Sequence, residues 1–113
     1  MAEIDFTYDV STSGPAPLVR LEGEFDMAAA HQVESEFASL ISTRPEEVVV
    51  DLSGLTFLDT TGLHVLLGLH EASQREGFRL SIVRGGEQIA RVFDITGLDS
   101  VLPLIDQVPD GHS

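Results

Sequence analysis

A chain of 113 residues, 42% of them hydrophobic, suffices for one domain with its own core and excludes intrinsic disorder. Its 19 acidic against 6 basic residues give a formal charge of −13, which argues against nucleic acid or anionic lipid as a partner, because their phosphates need a positive face. Without cysteine there is no disulfide framework and no thiolate metal site, and no apolar run approaches the roughly 20 residues that span a bilayer.

The acidic start, MAEIDFTYDV, lacks the apolar segment of a secretory signal, so a cytoplasmic location is expected. DFTYDV alternates like a half-buried strand, and the turn cluster STSGPAP leads into a second strand, LVRLEGEF. Together they predict a hairpin. Asp26 is a good N-cap for a helix whose apolar stripe is Ala30, Val33, Phe37, Leu40 and Ile41, and the chain turns at Pro45. EEVVVDL reads as a short strand with valines buried on both faces.

A helix over 61–75 follows a hinge at Asp59 and closes at Gly77. FRLSIV is the next strand. GGEQIARVFDITG then predicts a short helix with Ile89, Val92 and Phe93 inward and Gly97 at its end, before a last apolar piece, VLPLI. The order ββαβαβα plus a terminal strand or helix predicts a small α/β sandwich with a mainly parallel mixed sheet behind an N-terminal hairpin. One domain over residues 1–113 is expected, with its core at about 5–105 and a polar tail at 106–113.

The hinge, Asp59-Thr60-Thr61-Gly62, sits where a strand hands over to a helix, which is where α/β sheets gather function. On spacing alone, two readings stand. Asp59 and Thr60 cap a helix while Gly62 permits close packing, or a hydroxyl is presented for chemistry. A phosphoaspartyl receiver built on Asp51, or an aspartyl-phosphate enzyme built on Asp59, needs a lysine for the phosphoryl group, and all six basic residues are arginine. A hydrolase using Thr60 needs a base; His64 lies one turn on, but helical geometry turns it to solvent.

Projected as a helix, Leu63, Val65, Leu66, Leu69 and Ala72 form a buried arc, with His64, Gly68, Glu71 and Arg75 opposite and Leu67 near the polar edge. An exposed mid-helix glycine costs about 1 kcal/mol relative to alanine, so Gly68 either marks a face where a partner approaches the backbone closely or is tolerated drift. His64, Leu67, Gly68 and Glu71 are the candidate partner-binding residues. Gly85-Gly86 lacks the lysine and spacing of a phosphate loop, and the four histidines, His31, His64, His70 and His112, show no metal-ligand spacing.

Three stretches, GEFD, VVVDLSGLTFLDTTGLHVLLGL and RVFDITGL, resemble the STAS family, specifically the bacterial anti-sigma-factor antagonists, across residues 6–104. The resemblance implies a module without catalytic activity or cofactor. It implies phosphorylation of Thr60 by a cognate anti-sigma factor that is also a serine kinase, with Asp59, Thr61 and Gly62 forming the switch loop. It further implies a PP2C-type phosphatase as the resetting partner. The family often has serine where this chain has Thr60. Within the same fold, a stressosome scaffold or a lipid-transport component is the alternative. From another class, a small nucleotide-binding protein or enzyme using the same loop remains.

Overall fold

The computed structural model describes residues 5–109. Its elements are β1 (Phe6–Ser11), β2 (Leu18–Phe25), α1 (Met27–Ser42), β3 (Glu47–Leu58), α2 (Thr60–Glu76), β4 (Arg79–Val83), α3 (Glu87–Thr96), a 3-10 turn (Leu98–Ser100) and β5 (Leu104–Ile105). The strands lie side by side in sequence order, β1 antiparallel to β2 and every later pair parallel. The hairpin, the mixed sheet and the alternation of strand and helix are those that the periodicity predicts.

Strand alternation sorts the side chains into two layers. Val19, Leu21, Val48, Val50, Leu52, Leu80 and Ile82 join the buried faces of all three helices in one continuous core. On the opposite side of the sheet Leu18, Val49 and Val83 form a smaller cluster, covered by Ile105 and Val108. Arg84 fixes that cover: its amide donates to the Ile105 carbonyl at 2.9 Å, and its Nε lies 3.0 Å from Asp106 Oδ1. The segment expected as a polar tail therefore begins inside the fold, whereas His112 lies outside the described residues.

The expected helices form for the expected reasons. α1 buries Ala29, Ala30, Val33, Phe37 and Leu40, with Ile41 half-buried at its edge. α2 starts one residue before the predicted boundary and ends at Gly77, whose φ of 83° lets its amide reach the Ser73 carbonyl at 2.9 Å. In α3, Ile89 and Phe93 are buried, but Val92, predicted inward, is only half-buried against the core.

β3 departs most from expectation. Instead of ending near Leu52 it runs twelve residues to Leu58, because two bulges interrupt its pairing with β2. Register slips between Arg20 and Glu22, and again between Gly23 and Glu24, each leaving an extra residue on β3. The residues facing the main core consequently change from every second one, Val48, Val50 and Leu52, to every third, Leu55 and Leu58, a spacing that does not read as a strand. Asp51 stabilises the first bulge. Its Oδ1 accepts the Ser53 amide at 2.9 Å and its Oδ2 lies 3.5 Å from Arg20 Nε, so this 7%-exposed carboxylate already has its partners within the fold.

Candidate functional site: the switch loop at the start of α2

β2 and β3 end together, Phe25 opposite Leu58, and each is followed at once by an aspartate and a helix. Asp26 accepts the amides of Ala28 at 3.0 Å and Ala29 at 3.2 Å. Asp59 has extended backbone, and its Oδ1 accepts the Gly62 amide at 2.9 Å while its carbonyl accepts the Leu63 amide at 3.0 Å. A further bond from the Asp59 amide to the Phe25 carbonyl, at 3.3 Å, ties the two helix starts together. The capping half of the hinge reading is therefore what the structure contains. Asp59→Ala should lower stability by about 1 kcal/mol through loss of this cap, measurable as a reduced urea midpoint with unchanged slope.

Capping does not exhaust the loop. Thr60, the first residue of α2, is exposed, and its hydroxyl makes no hydrogen bond to any described residue. The first-turn amides of Thr60 and Thr61 point the same way without a backbone acceptor, as at any helix N-terminus, where they and the macrodipole favour negative charge. Thr61 is half-buried. Gly62 is buried because there is no room beside it: a Cβ there would lie 2.7 Å from Leu58 Cδ1 and 2.9 Å from the Phe25 carbonyl oxygen. That glycine lets the hinge bring α2 down onto the strand ends and so fixes where Thr60 stands.

His64 is exposed, as predicted, and no side-chain hydrogen bond joins its imidazole to the Thr60 hydroxyl among the described residues. Among the described residues no cluster of three or more potential ligands could hold a metal ion. Gly85 packs closely, since a Cβ there would lie 2.8 Å from Ile89 Cβ, whereas a Cβ at Gly86 would meet nothing within 4 Å. His31 is exposed and His70 half-buried, its Nδ1 without a hydrogen-bond partner among the described residues.

Of the candidate partner-binding residues, His64, Gly68 and Glu71 are exposed, whereas Leu67 is half-buried and packs against the core. A Cβ on Gly68 would meet nothing within 4 Å. Gly68 opens onto a shallow groove between α1 and α2, walled by Phe37, Ile41, Val65 and Leu69 with Glu34 and Arg75 at its rim. Gly68→Ala should therefore stabilise the domain by up to about 1 kcal/mol, read as a higher thermal midpoint, because it gains helix propensity without a clash.

Two exposed apolar side chains beside the loop escape sequence reasoning. Met27, directly after the Asp26 cap, is 73% exposed, and Phe57, two residues before Asp59, is 48% exposed. Met27 looks like the first apolar residue of an amphipathic helix, and Phe57 like part of a buried run. Only the bulge at Thr56 turns Phe57 outward; a strand pattern counted through the bulge is the signal that would find it.

The STAS domain model matches residues 7–111 of the chain. An anti-sigma F factor antagonist of Paenibacillus polymyxa is 30% identical over 90 residues, which cover 79% of this chain and 77% of that protein. The crystal structure of an anti-sigma factor antagonist from Mycobacterium paratuberculosis superposes with a TM-score of 0.85 at 28% identity, covering 98% of this chain and 95% of that one. The phosphorylated form of a Bacillus cell fate determinant, 19% identical, shares the fold at a TM-score of 0.72 over 92% of this chain and 94% of its own. A family model spanning the sheet, all three helices and the Asp59–Gly62 turn leaves one assignment: the chain belongs to the STAS-domain family.

Proposed function

We propose that this protein is an anti-sigma factor antagonist, a binding module that holds an anti-sigma factor with serine-kinase activity while Thr60 is unmodified and releases it when Thr60 is phosphorylated. One observation carries the reading: Thr60 is exposed on the first turn of α2, beside a capping carboxylate. The names of the relatives at 30% and 28% identity support the partner, and the existence of a phosphorylated protein of the same fold supports a domain that tolerates the modification. A PP2C-type phosphatase resets the switch, and the exchange takes place in the cytoplasm, where sigma factors work.

The physics distinguishes folding from docking. Phosphate adds roughly −1.5 to −2 charges at neutral pH. At an exposed helix start the first-turn amides offset part of that charge, so the domain keeps its structure. Within an interface, the same charge is desolvated next to Asp59, and burial without a cation costs several kcal/mol. Release is therefore electrostatic and needs no refolding.

The test is incubation with ATP and a purified candidate anti-sigma kinase, followed by mass spectrometry of the loop and partner titration. Phosphate on Thr60 that depends on the kinase, with an unchanged circular dichroism spectrum and lost binding, is the expected result. Phosphate elsewhere, or nucleotide turnover by the chain alone, would overturn the reading. The α2 face gives a second check: Gly68→Arg fills open space, so it should leave the fold intact and weaken partner binding about tenfold or more by titration calorimetry.

A further inference from the structure

β4 pairs with β3 only over residues 47–51, so the second half of β3 has no strand on that side. α3 fills the space, burying Ile89 and Phe93 against it. Between them runs an open groove of about 280 Å³, with Phe57 and Leu58 on the strand wall and Gln88, Arg91 and Val92 on the helix wall. It ends at the residue before Asp59. Ile95 continues the Gln88–Val92 stripe at helical spacing and is 76% exposed.

A single exposed apolar residue needs no explanation, but Phe57 lines this groove beside the switch loop and Ile95 is exposed about one turn beyond Val92 on α3. The groove's cation is the second anomaly. Arg20, Arg75, Arg79 and Arg84 each have a carboxylate within 4.0 Å. Arg91, like Arg44, has none among the described residues, in a chain with 19 acidic side chains, and of these two Arg91 lines this groove. A cation left unpaired on an apolar wall, while most of the others are matched, is complementary to an acidic group from outside.

We infer that this groove is a docking site for an apolar segment of the anti-sigma partner that carries a carboxylate to Arg91 and covers Phe57, Val92 and Ile95. The inference rests on the function proposed above and extends the footprint from α2 to α3. The net charge of −13 disfavours a nucleic acid or an anionic membrane as occupant. Phosphate on Thr60 then acts at the rim of a surface whose anchor lies in the groove.

The experiment titrates a purified anti-sigma kinase with the full chain as wild type, Thr60→Asp, Phe57→Ser, Arg91→Glu and Arg91→Lys, each checked by circular dichroism and thermal midpoint. Phe57→Ser should weaken binding about tenfold and Arg91→Glu about tenfold to a hundredfold, with Arg91→Lys close to wild type and a smaller salt dependence for Arg91→Glu. Groove variants that bind within about twofold of wild type, while Thr60→Asp does not bind, overturn the docking site and leave the switch standing. A wild-type chain that binds no such kinase removes the function and the docking site together. Sedimentation completes the test: self-association lost in Phe57→Ser would assign the groove to a second copy of the chain and overturn the partner-docking inference.

Discussion

Thr60→Asp is expected to reduce affinity for the anti-sigma partner by about 30-fold or more, while Thr60→Ala binds as tightly as the unmodified protein and resists release by ATP. The asymmetry follows from the position of the side chain. The Thr60 hydroxyl makes no hydrogen bond within the described structure, so removing it costs the domain nothing that is visible there. An aspartate at the same point places a second carboxylate next to Asp59, whose Oδ1 is already committed to the Gly62 amide. In free protein that charge is solvated and helped by the helix start, which limits its effect on stability to a few tenths of a kcal/mol. In the complex the pair of carboxylates loses water, and roughly 2 kcal/mol of desolvation and repulsion corresponds to the predicted 30-fold. Raising the ionic strength should recover part of the Thr60→Asp affinity, since repulsion at a rim is screened over about 10 Å or less at physiological salt and above. Wild-type affinity for Thr60→Asp at low salt would sink the electrostatic account.

How far the chain can be read in advance depends on how local the cause is. α2 is legible because its boundaries are written in single residues, the Asp59 cap and the Gly77 turn, and its buried arc recurs at helical spacing. The N-terminal hairpin and the mainly parallel sheet follow from alternation and from the helical connections between strands. The second half of β3 is not legible, because its bulges arise from pairing with β2 and displace Leu55 and Leu58 from strand periodicity. The exposure of Phe57 is a consequence of that same pairing. Arg91 was unremarkable as one of six arginines; it acquires meaning when four of the others are seen against carboxylates. The role of Asp51 likewise needed the bulge amide that it accepts. Candidate site residues named from the sequence are therefore those whose neighbours in the chain are also their neighbours in space.

Gly62 provides the sharpest test of that locality, because the motif supplies the glycine but the strands supply the reason. Gly62→Ala should destabilise the domain by about 2 kcal/mol and lower its thermal midpoint by roughly 5–15 °C. The added methyl meets Leu58 Cδ1 at 2.7 Å, Phe25 O at 2.9 Å and Phe25 Cγ at 3.2 Å. Leu58 is 4% exposed and Phe25 is fully buried, so neither side chain can swing clear, and a backbone carbonyl has no rotamer to change. Alanine's better helix propensity, at most about 1 kcal/mol, is too small to cancel that overlap. Relief must come from moving the start of α2 away from β2. That movement stretches the Asp59 amide bond to Phe25 and carries Thr60 with it, so partner binding should fall even well below the melting transition, where the protein remains folded. Gly68→Ala is the control on the same helix, since its methyl meets no atom and its midpoint should rise. Equal midpoints for the two alanine variants would show that close approach at the hinge does not set the position of the switch.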